Sequence, residues 1–249
     1  MRVILDTHPR ICCGPESRLF QPRVPSPPKL ARRFDLPEAA VGELFARSGS
    51  QAEFIDRFFA LYCESRHKPR WAEKTPRNVL YLDYIFEHFP NARFVHMIRD
   101  GRDTICSLRT HPRHKVVDGK IVKLNTWHPI EPCLERWLND VRAGLAYRGD
   151  PRYTEIRYEA LVANPRETLV PLFDFLGEPF DERVLEYHRD KGQSRDATHF
   201  PQNPEATKPM YAKSVARWQR DLTADELALV KREAGPLLKE LGYTPDDQW

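Results

Sequence analysis

The chain has 249 residues, of which 41% are hydrophobic, and its 39 Lys and Arg stand against 36 Asp and Glu for a net charge of +3. That length and apolar content support one substantial core in a single α/β domain over residues 1–249, and basic residues so interspersed with acids exclude a nucleic-acid surface. No apolar run approaches the ~18 residues of a membrane span and no basic segment leads into an apolar one at the start, while five cysteines, odd in number and without ligand spacing, argue against a metal site or a disulfide framework; a cytoplasmic protein is expected.

In chain order, Arg2 to Asp6 begins as an apolar stretch with no N-cap or entering turn, like a helix cut in its middle. Pro22, Pro25, Pro27 and Pro28 predict an extended or irregular course between Phe20 and Pro37. Gln51 to Arg66 spaces Phe54, Ile55, Phe58, Phe59 and Tyr62 as the wide apolar face of a helix. Trp71 to Asn78, WAEKTPRN, precedes a second amphipathic helix with Val79, Leu82, Ile85, Phe86 and Phe89 inward. Thr75 is its predicted N-cap and Pro76 its first residue. Lys74 then falls just outside a helix N-terminus, where its charge opposes the dipole unless an anion lies between them. That singles it out as a group that neutralises a phosphate or sulfate, the alternative being a solvated surface lysine.

Phe94, Val95, Met97 and Ile98 form the apolar run of a parallel strand covered on both faces, with His96 the polar exception. Asp100 and Gly101 turn the chain into a helix that carries Thr104 and Ser107 near its start. Arg99 at the strand tip offers a planar fork to two phosphate oxygens. Ser107, roughly two turns into the helix, is placed to donate to a third. The competing reading is a local Arg–Asp ion pair that only pins the turn. Thr110 to His128 is polar, basic and long for a connector, as binding loops and lids are, and is expected to hold acceptor specificity. Glu131 to Tyr147 reads as a packing helix with Pro132 at its start. Tyr153 to Arg157 reads as a short strand, with Tyr158 and Glu159 at its C-terminal end, where ligands of open α/β sheets collect. Pro165 to Gly177 is a helix despite Pro171, and Ser194 to Tyr211 is a proline-rich irregular run. The last helix opens with a Thr223-x-x-Glu226 capping box, should bend at Gly235–Pro236 and ends at Gly242.

Four blocks in order, LDTHPRICCGPESRLF, WAEKTPRN, FPNARFVHMIRDGRDTICSL and IRYEALVANPRETLVPLFDFLG, resemble the PAPS-dependent sulfotransferase family, most closely its tyrosylprotein sulfotransferase-related branch. PAPS is 3′-phosphoadenosine 5′-phosphosulfate. The resemblance implies a three-layer P-loop-type sulfotransferase fold with a parallel central sheet. It implies an enzyme that moves a sulfuryl group from PAPS, without a metal, to a hydroxyl acceptor, either a small molecule or a peptide. It places Tyr158 near the nucleotide, and Lys208–Pro209, Ser214 and Arg217–Trp218 in the late segment that closes over it, with Lys208 a cofactor-binding residue. Transfer needs the acceptor oxygen partly deprotonated and the leaving oxygen neutralised. Glu16, in the CGPESR block, matches the glutamate-bearing neighbourhood of the family's CGEETR-like motif and is the candidate base, with Lys74 serving the leaving oxygen and Arg18 an acidic acceptor. Pro15 stands where the tyrosylprotein branch has the first of two glutamates, so the matched base and a surface glutamate paired with Arg18 both remain open. His8 and His96 compete as bases but suit turn and core positions.

Family members open with a strand and a P-R-S-G-T-T loop around the 5′-phosphosulfate. No Gly-Thr-Thr occurs in these residues, and Gly119–Lys120 and Lys191–Gly192 lack a strand-loop-helix context. The first strand and the phosphate loop are therefore expected to be missing, either through a truncated gene product or in a non-catalytic relative that only binds PAP or PAPS. A nucleotide kinase would need a Walker lysine and Mg²⁺ ligands, neither of which is found. A scaffold would leave Arg99, Lys74 and Ser107 without a ligand.

Overall fold

The computed structural model describes residues 1–111, 113–117, 120–189, 209, 214–246 and 249. Contacts divide the chain into two compact units, residues 1–93 with 169–209, and residues 94–168 with 210–249.

The first unit runs α1 (Arg2–Thr7), β1 (Ile11–Cys13), α2 (Pro27–Phe34), α3 (Glu38–Arg47), α4 (Gln51–Arg66), β2 (Arg70–Ala72), a 3₁₀ turn Asn78–Tyr81 and α5 (Leu82–His88). α1 has Met1 as N-cap residue and no side-chain cap. α2 replaces the extended course expected there: Ser26 is the N-cap, and Pro27 and Pro28 occupy the first turn, where no N–H is required. α4 forms as its spacing predicts, with the Ser50 hydroxyl accepting from Glu53 N at 3.1 Å. Its aromatic face makes the core: Phe58 and Tyr62 meet Phe34 edge-on at 4.9 and 5.1 Å, and Phe59 stacks on Trp71 at 4.7 Å. β1 and β2 pair in parallel, Ile11 with Arg70 through Cys13 with Ala72.

The second unit holds β3 (Phe94–Ile98), α6 (Gly101–Arg109), β4 (Arg113–Val117), β5 (Lys120–Leu124), α7 (Ile130–Leu145), β6 (Tyr153–Arg157) and α8 (Tyr158–Ala163). The division between units falls inside α9 (Pro165–Leu176), which runs unbroken through Pro171 and is followed by Gly177 at φ +72°. The 3₁₀ turn Glu182–Glu186 returns to the first unit, and α10 (Trp218–Asp221) and α11 (Ala224–Glu240) complete the second. β3 and β6 pair in parallel, Phe94 with Tyr153 through Ile98 with Arg157. The segment expected to be a loop, residues 110–128, contains the antiparallel hairpin β4–β5. α11 is one helix through Pro236 with the predicted capping box formed. Ile98, Ile105, Trp137, Val141, Val230 and Leu238 lie in this unit's core.

Candidate functional site

In a parallel pair both chains leave at the same end, so the register decides which residues meet there. β1 and β2 finish at Cys13 and Ala72. Glu16 lies three residues beyond one strand and Lys74 two beyond the other. Lys74 Nζ donates to Glu16 Oε1, and the two side chains are 40% and 30% exposed. The predicted base and the predicted leaving-group cation are thus brought into one ion pair, rather than Glu16 pairing with Arg18. Arg18 is exposed at φ +61°, and Arg33 Nη1 donates to the Glu16 carbonyl at 2.6 Å. Gly14 gives this turn its closeness to the core, since a Cβ there would lie 2.5 Å from Phe34 Cε1.

Sequence reasoning missed Glu73, between the strand and the lysine. Its Oε1 accepts from Ser17 N at 3.1 Å, Ser17 Oγ at 2.8 Å and Thr75 Oγ1, and its Oε2 accepts from Asn78 Nδ2. Thr75 Oγ1 also accepts from Arg18 N at 3.1 Å. The carboxylate therefore ties residues 17–18 to residues 75–78, on either side of the Glu16–Lys74 pair. Burial pushes its carboxyl up, against the hydrogen bonds that pull it down. This also corrects the expected helix start. The Thr75 hydroxyl is committed to Glu73, Arg77 takes φ +72°, and α5 begins only at Leu82, so Lys74 faces no helix N-terminus and its anion chemistry rests on Glu16 instead.

In the second unit β3 and β6 end at Ile98 and Arg157, so Arg99 and Tyr158 emerge side by side, with the guanidinium 4.8 Å from the phenol ring centroid. Arg99 does not pair with Asp100. That carboxylate caps α6 by accepting from Arg102 N at 2.9 Å and is bound by Arg102 Nη2 at 2.7 Å, so the local ion pair that pins the turn belongs to Arg102. Glu159, placed by the sequence at this strand end without a role, has its Oε1 accept from Asp100 N at 2.9 Å, a second support of the turn. Arg99 Nη2 donates to the Ser214 carbonyl, Asp103 Oδ2 lies 3.6 Å away, and Arg99 Nε is buried with no partner among the described residues. Asp103 is fully buried and holds Ala216 N at 2.8 Å and Trp218 N at 3.1 Å. Thr104 spends its hydroxyl on the Asp100 carbonyl. Ser107 is half-buried on α6 without a hydroxyl partner among the described residues, so no bond joins it to Arg99. Beside α6 a cavity of about 270 Å³ is lined by Cys106, Arg109, Thr110, Trp127, Arg217 and Asp221. Lys208 lies outside the described residues, as does most of Ser194–Tyr211.

Neither competing histidine is free. His8 is fully buried, its Nε2 2.9 Å from the Pro179 carbonyl and its ring stacked on Phe173. His96 Nδ1 lies 2.7 Å from Tyr153 Oη, and burial lowers its pKa to about 4. Among the described residues no group of three His, Cys, Asp or Glu could hold a metal ion, and no helix is long and apolar enough to cross a membrane.

Residues 1–182 match the family model of the sulfotransferase family. Over 99% of its length the chain is 26% identical to protein-tyrosine sulfotransferase A of Caenorhabditis elegans, and over 98% it is 24% identical to the protein-tyrosine sulfotransferase of Drosophila melanogaster. It spans 64% and 49% of those two proteins. Among solved structures it is similar to the sulfotransferase domain of the curacin biosynthetic pathway, with a TM-score of 0.64 and 16% identity over 95% of this chain and 91% of that one. The sulfotransferase domain of the Synechococcus PCC 7002 olefin synthase gives 0.64 and 20% over 93% and 88%. These likenesses show the fold.

Proposed function

Because the chain belongs to the sulfotransferase family, we propose that it moves a sulfuryl group from PAPS to a hydroxyl acceptor, with Glu16 as general base and Lys74 as the cation that balances the leaving phosphate. The observation that carries this reading is the Glu16–Lys74 ion pair, which sets a proton acceptor and a cation at hydrogen-bond distance at the end of one parallel strand pair. Glu16 takes the acceptor's proton as its oxygen attacks sulfur in line and the bond from sulfur to the bridging oxygen breaks. Lys74 then exchanges its carboxylate partner for the released oxyanion.

PAPS supplies the activated sulfuryl group. Its nucleotide is assigned to Arg99, Ser107 and Tyr158, with Lys208 on the strength of the resemblance. The buried, unpartnered Nε of Arg99 fits this assignment, since a phosphate oxygen would satisfy a donor that the protein leaves unbonded among the described residues. Arg18, exposed one residue from Ser17, is assigned to an acidic acceptor. The names of the sequence relatives favour a tyrosine hydroxyl in a peptide as that acceptor. The odd cysteine count supports a cytoplasmic location, which fractionation of the source cells tests.

Calorimetry with adenosine 3′,5′-bisphosphate against ADP, followed by transfer of labelled sulfate from PAPS to tyrosine peptides and simple alcohols, tests the reading. Selective binding with transfer supports it. Selective binding without transfer favours the non-catalytic relative, and equal or absent binding ends the nucleotide assignment.

A further inference from the structure

Cys12 sits at the centre of β1 and Cys63 in the last turn of α4, and their Sγ atoms are 2.7 Å apart. Both belong to the first unit, where Cys12 is fully buried and Cys63 is 6% exposed. Successive strand residues face opposite ways, so Cys13 presents its thiol to the other side of β1 and does not compete. Lys68 places its ammonium beside the pair by donating to the Ile11 carbonyl at 2.8 Å. A nearby cation and a thiol donor favour thiolate at Cys63, and its pKa is lowered chiefly by the hydrogen bond from Cys12. Cys13, by contrast, is pushed up to about 12 by burial.

We propose that Cys12 and Cys63 are a modification site that closes into a reversible disulfide when the protein meets hydrogen peroxide. The Cys63 thiolate attacks a peroxide oxygen, the O–O bond breaks, and a sulfenic acid and hydroxide form. Cys12 then attacks that sulfur, the S–O bond breaks, and its proton leaves with the hydroxyl as water. With the proton that Cys63 released on ionising taken up by the hydroxide, two thiols and one hydrogen peroxide become one disulfide and two waters. The covalent ring so made contains Glu16, Arg18 and Arg33, so oxidation fastens the whole stretch between β1 and α4. In a reducing compartment such a bond is transient and restored by thiol exchange, which suits a redox-sensing role better than a structural one.

The test is peptide mapping of the full chain, without reductant, after graded hydrogen peroxide. The expected result is a peptide linking Cys12 to Cys63, a loss of two hydrogens in mass, and a fall in titratable thiols from the five free cysteines to three, all reversed by dithiothreitol. In Cys12→Ser the sulfenic acid should persist at Cys63 and be trapped by dimedone. A linkage through Cys13, or five thiols remaining after peroxide that oxidises a free-thiol peptide added to the same sample, would overturn the proposal. The wild-type mapping stands even where the serine variant fails to fold.

Discussion

Two parallel strand pairs each deliver a cation at their carboxyl end, and the protein treats the two cations oppositely. Lys74 is 40% exposed and neutralised by a carboxylate that is itself 30% exposed. An ion pair so open to water is worth little in stability, so exchanging Glu16 for another anion costs little. Arg99 is 18% exposed, flanked by the phenol of Tyr158, the Ser214 carbonyl and a carboxylate 3.6 Å away, and retains one buried N–H without a partner among the described residues. A buried donor left unsatisfied costs on the order of 1–3 kcal/mol, a standing preference for a bound acceptor. In the proposed reaction the exposed cation is the one that changes partners and the buried one is the one that holds the nucleotide.

The most severe way to break this contrast is at the exchangeable pair. Lys74→Ala and Glu16→Gln should each lower kcat by roughly 10²–10³-fold, the range for losing a charge-stabilising group or a positioned base, while affinity for adenosine 3′,5′-bisphosphate changes little. Single-turnover transfer together with calorimetry checks both halves. A variant that loses nucleotide affinity but keeps its turnover reverses the assignment.

Arg99→Ala should act the other way round. Losing charged hydrogen bonds worth about 1.5–3 kcal/mol weakens the bisphosphate roughly 10- to 150-fold, with ADP nearly unaffected and turnover at saturating donor preserved. Calorimetry with the two nucleotides measures it. Equal weakening of both would mean that Arg99 serves a phosphate they share.

Much of this was legible in the residues. The apolar run of Phe94–Ile98, the tyrosine at the end of the 153–157 strand and the Thr223–Glu226 box are local patterns, and local patterns survive folding. Thr75 was misread because a hydroxyl before a proline looks like an N-cap, whereas here a carboxylate two residues back and the Arg18 amide claim it. Pro27 and Pro28 hid α2 because clustered prolines read as helix breakers, whereas in the first turn of a helix no N–H is required of them. Glu73 gave no signal, since nothing in the periodicity of residues 71–78 says that four donors from two segments converge on it. Even the Glu16–Lys74 pair depends on the β1–β2 register, a long-range fact absent from either segment alone.

Acid sharpens the comparison, because the second unit carries a buried histidine on β3, the strand that leads into Arg99. His96 has its pKa lowered to about 4 by burial, against about 6.5 for an unfolded histidine. The unfolded chain therefore takes up this proton first as pH falls. Stability is complete above about 6.5 and is lost towards 4, by about 2–4 kcal/mol over the whole interval. Denaturant titrations across that range should show the loss, and His96→Gln, which does not titrate, should flatten it. An unchanged slope in the variant would place the acid sensitivity elsewhere.

The smallest effect is expected at the entrance of α11, where the predicted box is complete. Thr223 Oγ1 accepts from Glu226 N at 3.3 Å and Glu226 Oε2 accepts from Thr223 N at 3.0 Å, while Glu226 also lies 2.6 Å from the guanidinium of Arg109 on α6. Thr223→Ala removes one cap acceptor and should cost about 1 kcal/mol in denaturation. Because Glu226 keeps its hold on Arg109, α6 should stay in place, so nucleotide affinity and turnover should both remain within about twofold of the parent, the scatter expected away from a site. A loss of affinity well beyond that would show that the packing of α11 on α6, and not only the fork of Arg99, sets the strength of the buried cation's grip.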